Sequence, residues 1–190
     1  ITAITDGNPV AQWGDVSGNS HDASQSTVNM QPIFNDNVIN GQPVVSFDGG
    51  DDRVAIDASL TEPLRFTNRF TVSGWIKRSS SDNGATTWKH ILSRQYGTGF
   101  SDSWFVGFKG SGGISDDQVV LGSGSDILSS SPGLIQPDQW HHVVGVKDGP
   151  SARLYLDGVE VAVSSSSQDP VPNDVNAVGF GAQENGTPGW

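Results

Sequence analysis

The sequence predicts an all-β fold in which antiparallel strands form a sandwich of two sheets. Short apolar or alternating segments recur along the 190 residues, each bounded by Gly, Ser, Asn or Asp, which is the pattern of strands joined by turns. No window of about 12 residues carries the i, i+3, i+4, i+7 apolar stripe of an amphipathic helix. Several short strands at fairly regular spacing predict a sandwich. We find no linker and no internal repeat, so we expect one domain over residues 1–190.

The predicted strands follow one another from the first apolar segment to the last. The first 42 residues read mostly as loop, with one short strand at Val10–Gly14. The strand predicted at Arg69–Lys77 alternates most cleanly, because Phe70, Val72, Gly74 and Ile76 share one face and Thr71, Ser73, Trp75 and Lys77 share the other. The remaining predicted strands are Pro43–Gly49, Arg53–Ile56, Trp88–Gln95, Ser103–Lys109, Gln118–Gly122, Trp140–Lys147 and Val175–Ala182.

The chain is organised around a meander between Gln139 and Val163, whose second half is a hairpin. Asp157 and Gly158 both tolerate positive φ and suit the centre of a two-residue type I′ turn. That turn fixes a register, and a slip of one residue would scramble its faces. The predicted pairs are Leu156 with Val159, Tyr155 with Glu160, Leu154 with Val161, Arg153 with Ala162 and Ala152 with Val163. We expect this meander near the middle of a sheet.

Charge and cysteine content exclude several classes of partner. The net charge of −11 argues against nucleic acid, which needs a basic patch, and against an anionic membrane surface. No apolar run is long enough to span a bilayer. Cysteine is absent, so the fold depends on neither disulfides nor thiolate metal sites. Of the 21 carboxylates, 18 are Asp, a residue that favours turns and oxygen-only cation sites.

Five segments spread over most of the chain together carry a family resemblance. They are Asp15–Asn19 with Asp22-Ala23, Asn40–Gly49, Phe70–Ile76, Trp140–Val144 and Leu154–Gly158. In this order they resemble the laminin-G-like, concanavalin A-like jelly-roll modules of secreted bacterial proteins. The resemblance implies a jelly roll in a secreted or cell-surface protein. It leaves the function open among lectins, adhesion modules and glycosidases.

The same resemblance bears on the two ends of the chain. Family members usually have an apolar strand before the position of Ile1 and a glycine-led strand beyond that of Trp190. We therefore expect the terminal strands to belong to a longer chain or to come from another chain. Open sheet edges left without them would invite self-association.

The first candidate site is a calcium site formed by Asp15, Asn19 and Asp22. These residues place several oxygens within one tight turn, and Ca²⁺ takes six to eight oxygen ligands. The resembling family often binds calcium in its loops. The alternative is a set of Asx turns without a metal. A second acidic cluster, Asp48–Asp52, has the same two interpretations.

The second candidate site is aromatic. Trp88, Tyr96 and Trp104 lie at predicted strand ends next to loops, where exposed rings could stack on sugar rings. Trp75 and Trp140 lie in the middle of strands, and we expect them in the core. The alternative for Trp88 and Trp104 is burial in the same core.

Nothing in the sequence indicates a catalytic site. His141 and His142 are adjacent on a strand and point to opposite faces, so they do not chelate one ion together. Relatives with this fold that hydrolyse glycosides carry acids at i and i+2 on one strand, and no carboxylates here have that spacing. The G-x-S-x-G and H-E-x-x-H motifs are also absent.

The predicted function is therefore binding. We expect a non-catalytic, lectin-like or adhesion module whose partner is a glycan or another component of a cell surface or extracellular matrix. The alternative from a different class is a structural extracellular subunit that assembles with copies of itself, and a glycoside hydrolase is the third option.

Overall fold

The computed structural model describes residues 4–80, 88–94, 104–110, 117–170 and 177–181, and within them it confirms the all-β prediction. Helical structure in these residues is limited to three single 3₁₀ turns, Val28–Met30, Ala58–Leu60 and Glu62–Leu64. None of the described helices has the length and apolarity needed to cross a membrane. The strands are β1 (Gln12–Trp13), β2 (Ala23–Ser24), β3 (Ile33–Ile39), β4 (Gln42–Ser46), β5 (Val54–Ile56), β6 (Arg69–Lys77), β7 (Trp88–Arg94), β8 (Trp104–Lys109), β9 (Gln118–Ser123), β10 (Asp126–Ser129), β11 (Trp140–Asp148), β12 (Ser151–Leu156), β13 (Val159–Ser164) and β14 (Val178–Phe180).

The strands form two packed sheets and a separate hairpin. The larger sheet has the order β1-β2-β5-β14-β7-β8-β9-β10, and the smaller has the order β13-β12-β11-β6. The β3–β4 pair forms a two-stranded ribbon. All the strand pairs found in the described residues are antiparallel. The predicted meander is thus β11-β12-β13, and it supplies three of the four strands of the smaller sheet.

The hairpin register is confirmed next to the turn and wrong beyond it. Asp157 and Gly158 have φ of +52° and +82°, as a type I′ turn requires. Leu156 pairs with Val159 and Tyr155 with Glu160, but a β-bulge then shifts the register. The observed pairs beyond the bulge are Leu154 with Ala162, Arg153 with Val163, and Ala152 with Ser164. A bulge adds one residue to one strand, so Val161 has no partner in this register.

Three strands, β2, β3 and β10, were not predicted from the sequence. Strand β3 lies in the segment assigned to loop, and Asn40-Gly41 turns it into β4 with φ of +50° and +77°. Asn-Gly is the strongest short-range signal of a two-residue hairpin, so the pairing was available from the sequence. Strand β10 was also missed, and it pairs with β9 around Gly124 and Ser125.

The core lies between the two sheets. Val143, Leu154 and Phe70 from the smaller sheet join Val106 and Leu121 from the larger sheet in one buried cluster. Gly145 lets the sheets approach closely. A Cβ at that position would lie 3.0 Å from Leu121 Cδ1 and 3.1 Å from Val106 Cγ2, closer than ordinary carbon contacts.

Two buried cations tie the ends of the sandwich. Arg78, just after β6, pairs with Asp117 at 2.6 Å, and both side chains are buried. At the other end of the sheet, the buried Lys147 ammonium donates to Asp169 Oδ1 at 2.6 Å, to the carbonyl of Ser167 at 3.3 Å and to the carbonyl of Gly149. A buried charge is tolerated when hydrogen bonds compensate it. Lys147 therefore holds the loop after β13 against the sheet.

We predict that Leu154→Ala destabilises the chain far more than Val159→Ala, although sequence patterning placed both side chains on the buried face. Leu154 is 0% exposed and Val159 is 65% exposed. Removing the buried leucine should lower the free energy of unfolding by about 2–5 kcal/mol, and the valine change should cost less than about 1 kcal/mol. Urea unfolding of the two variants measures both values. Similar losses in the two variants would contradict the difference in exposure between Leu154 and Val159.

Candidate functional site

Of the three aromatic residues predicted to bind a ligand, Trp104 is the one whose side chain lies within the described residues. Trp104 is 2% exposed, its Nε1 donates to the carbonyl of Leu64 at 3.0 Å, and its ring packs on Phe66 and Phe70 with centroids 5.3 and 5.8 Å away. Trp104 is therefore buried in the sandwich core, which is the alternative that the sequence left open for this residue. The side chain of Trp88, at the start of β7, and the whole of Tyr96 lie outside the described residues.

Among the tryptophans whose side chains the structure describes, Trp75 is the most exposed. The sequence pattern placed it in the core, yet it is 58% exposed in the middle of the edge strand β6. Its neighbours on the strand, Phe70 and Val72, occupy the opposite face and are buried. Since successive side chains of a strand alternate, burial of those residues turns Trp75 outward. In the sequence, Trp75 shares one face of the strand with the polar residues Thr71 and Ser73, and this pattern indicated that it is exposed.

Trp75 belongs to an aromatic group on the outer face of the smaller sheet. Its ring lies 5.1 Å from that of His142, its cross-strand partner on β11. One outward pair further along, Lys77 Nζ lies 5.5 Å from the ring centroid of Trp140, within the range of a cation–π contact. Trp140 is half-buried rather than part of the core cluster. We call the following set the aromatic face: the outward-facing side chains of β6 and β11, Tyr155 of β12, and the Arg153–Glu160 pair at the margin.

Charged groups on the aromatic face pair with one another. Arg69 Nε donates to Asp148 Oδ1 at 2.8 Å at one end of the β6–β11 pair. Arg153 donates to Glu160 at 2.6 Å across the hairpin. These side chains are largely solvated, so the pairs add little stability. Each pair cancels its own charge, while the ammonium of Lys77 lies beside the Trp140 ring.

A shallow depression adjoins the aromatic group. It has a volume of about 370 Å³ and is lined by Arg69, Thr71, Val146 and Asp148, among others. This volume is at the lower end of the range for small-molecule sites. Between the depression and Trp75 lie Ser73 and its partner Val144, whose side chains are short. The face therefore offers stacking surface at one end and hydrogen-bonding groups at the other.

The strand that carries His142 is held by an aspartate from the neighbouring turn. Asp157 Oδ1 accepts from the backbone N–H of His142, and its Oδ2 lies 2.8 Å from His141 Nδ1. The backbone N–H of Gln136 donates to His141 Nε2 at 3.1 Å, so the hydrogen-bond network assigns the ring proton to Nδ1. The hydrogen bond from His141 lowers the pKa of Asp157. His141 faces inward and His142 outward, as the sequence indicated, and the contacts of His141 are structural.

The predicted calcium loop is closed by its own hydrogen bonds. Asp15 accepts from the hydroxyl and the backbone N–H of Ser17, both at 2.7 Å, and from the backbone N–H of His21 at 3.0 Å. Asp22 accepts from the backbone N–H of Asp15 and from the side-chain amide of Gln12, each at 2.7 Å. The amide of Asn19 donates to the Ser17 hydroxyl at 2.9 Å. Asx-turn chemistry accounts for this loop without an ion, and calcium there stays a prediction.

The second acidic cluster brings three carboxylates together. One oxygen each from Asp48, Asp51 and Asp52 lies within 4.8 Å of the other two. Asp48 also accepts from the backbone N–H of Gly50 at 2.7 Å, and Asp52 accepts from that of Asp48 at 2.9 Å. Burial raises the pKa of Asp52. The backbone contacts are those of a turn between β4 and β5, in line with the structural interpretation of this cluster.

Comparisons with known proteins agree with the fold. Residues 48–190 match a laminin-G family model described as the concanavalin A-like lectin/glucanases superfamily, as the resemblance predicted. No curated protein sequence matches the chain.

Several solved structures are similar to this chain. One is domain 4 of AbnA, a GH43 extracellular arabinanase from Geobacillus stearothermophilus, in complex with arabinotriose. It has a TM-score of 0.58 and 16% identity over 94% of this chain and 85% of that one. Another is tailspike protein 2 of Escherichia coli O157:H7 bacteriophage CAB120, with a TM-score of 0.57 and 11% identity. This chain spans 24% of the tailspike, with 95% of its own length covered. At these identities the likeness concerns the fold.

We predict that the hydrogen bonds to Asp15 in the first loop make the free energy of unfolding depend on pH in the acid range. Hydrogen bonds from the Ser17 hydroxyl and the backbone N–H groups of Ser17 and His21 lower the pKa of Asp15 from 3.8 to about 2. A carboxylate with a depressed folded pKa stabilises the fold above its unfolded pKa, and this contribution is lost as pH falls. The difference in the free energy of unfolding between the parent and Asp15→Asn, the stability gap, should therefore be constant above about pH 5. It should shrink as the pH falls from 3.8 to about 2. Urea unfolding across this range measures the gap, and a gap independent of pH would contradict the argument.

Proposed function

Because the chain belongs to the concanavalin A-like lectin/glucanases superfamily, we propose that it is a non-catalytic carbohydrate-binding module of a secreted or cell-surface protein. The superfamily contains both lectins and glucanases, so the family alone does not decide between binding and hydrolysis. The choice between binding and hydrolysis therefore rests on the geometry and charges of the site. We place the binding site on the aromatic face.

The observation that carries the proposal is the exposure of Trp75. A large aromatic ring that is 58% exposed forgoes the burial that usually stabilises tryptophan. Its flat surface suits the apolar face of a sugar ring. The neighbouring Ser73, Lys77 and His142 provide hydrogen-bonding groups for sugar hydroxyls. One stacking surface surrounded by polar side chains is the composition expected of a small-molecule site.

The similar solved domain supports the same class of ligand. Domain 4 of the arabinanase holds arabinotriose, and it shares its fold with this chain over most of both lengths. At 16% identity the ligand itself does not transfer, but arabinotriose is a reasonable first probe. The word extracellular in the description of that enzyme also supports a location outside the cell for this chain.

The carboxylates of the aromatic face are placed for binding rather than hydrolysis. Asp148 and Glu160 each pair with an arginine. Their positions are two strands and four residues apart, which puts their Cα atoms roughly 16 Å from each other. Retaining and inverting glycosidases hold their two carboxyl groups at about 5 to 9.5 Å. Within the part of the chain that the structure describes, the carboxylates of this face are thus too far apart for the pair that glycoside hydrolysis uses.

We predict that Trp75→Ala weakens the binding of neutral oligosaccharides at least about tenfold, equal to about 1.4 kcal/mol. Trp13→Ala serves as the matched control, because Trp13 is also partly exposed, at 41%, but packs on Phe180 of the other sheet. Isothermal titration with arabinotriose and with xylo- and gluco-oligosaccharides measures the affinities. Equal binding by the parent and Trp75→Ala would move the site away from this face. A parent chain that binds none of a broad glycan array would end the proposal.

Calcium stabilisation is a separate proposal. An ion that binds only the folded chain raises its melting temperature by mass action, so we expect a higher melting temperature in millimolar Ca²⁺ than in EDTA. Asp22→Asn should remove the shift if the first loop holds the ion. Identical melting curves in the two conditions would reject calcium as a cofactor.

A further inference from the structure

We propose that the ligand of the aromatic face is an uncharged oligosaccharide chain that lies along β6 and β11, parallel to the strands. This inference rests on the proposed function and adds the chemical class and the direction of the ligand. It follows from the charges of the face, from the charge of the whole chain and from the shape of the surface between Trp75 and Asp148.

The charges of the face oppose an anionic ligand. A site for uronic acids or sulfate presents cations that point at the ligand and have no carboxylate partner. On this face Arg69 donates to Asp148 and Arg153 donates to Glu160. The ammonium of Lys77 lies over the ring of Trp140. An anionic ligand would have to break two ion pairs and would bring its own charge close to both carboxylates.

The charge of the whole chain acts in the same direction. The net charge of −11 produces a negative field that slows the approach of polyanions and lowers their local concentration. A neutral glycan meets no such barrier. Since its binding would depend on stacking and hydrogen bonds, added salt should have little influence on its affinity.

The shape of the face gives the direction. Five outward pairs connect β6 and β11, from Lys77 with Trp140 to Arg69 with Asp148, which is a length of about 27 Å. The rings stand at the first end, short side chains such as Ser73 and Thr71 occupy the middle, and the depression of about 370 Å³ lies at the far end. Across the strands, the Arg153–Glu160 pair projects beyond Tyr155. A chain of several sugar units therefore fits along the strands.

The first experiment tests the chemical class. Affinities of the parent chain are measured by titration for neutral arabino-, xylo- and gluco-hexasaccharides and for oligogalacturonates and sulfated oligosaccharides of similar length. We expect binding of a neutral hexasaccharide that changes less than about twofold between low salt and about 0.5 M NaCl. An anionic ligand that binds more tightly than every neutral one, with affinity lost in salt and in Lys77→Gln, would overturn the inference while the proposed function stands. Absence of binding to either class would instead end the proposed function.

The second experiment tests the direction. Thr71→Arg places a long side chain on the floor of the face, at an exposed position that tolerates substitution, some two outward pairs from Trp75. The hexasaccharide should bind at least about fivefold more weakly to Thr71→Arg, and the trisaccharide of the same series should change less than about twofold. Arg153→Lys, on the opposite flank, is the matched control and should affect neither. Equal effects of Thr71→Arg on both lengths, or no effect on the hexasaccharide, would contradict placement along the strands.

Discussion

The alternation of side chains across β6 and β11 is the constraint on which both the core and the aromatic face depend. Phe70 on β6 and Val143 on β11 are buried against the larger sheet. The residues that alternate with the buried ones along each strand therefore point to solvent. The outward position of Trp75 is thus a consequence of what its neighbours bury. A shift of one residue would bury Trp75 and expose the apolar side chains together, so one choice of register determines both faces.

Strand β11 is held by side-chain contacts at both of its ends. Asp157 fixes the beginning of β11 through the backbone of His142 and the ring of His141. Lys147 fixes its end through three acceptors, of which Asp169 is one. A binding surface built on regular strands loses little entropy when a ligand arrives, because its side chains already have a fixed spacing. In the proposed site, the regular strands of the sheet rather than mobile loops would contact the ligand.

The sequence was sufficient for the sandwich, for β6 and for the turn at Asp157, since each rests on short-range alternation or turn chemistry. It was not sufficient for the bulge, because Val161, Ala162 and Val163 are all apolar and hydrophobicity does not choose between their faces. It also misjudged which tryptophan is exposed. Strand β8 is buried on both faces, and this depends on the packing of the rest of the fold rather than on the residues of the strand. Whether a tryptophan lies in the middle or at the end of a strand was therefore a poor guide to its exposure. For Trp75, the burial of Phe70 and Val72 on the same strand is what indicates an outward position.

The bulge in β13 has a consequence for how the molecule behaves among copies of itself. This strand lies at the margin of the smaller sheet, where free N–H and C=O groups could add a strand from a second molecule. An extra residue opposite Leu154 interrupts the even spacing of those groups and increases the local twist. A straight incoming strand then matches only a few of them before it diverges. The bulge therefore disfavours the addition of strands from other copies of the chain at this margin, and with it the growth of fibres.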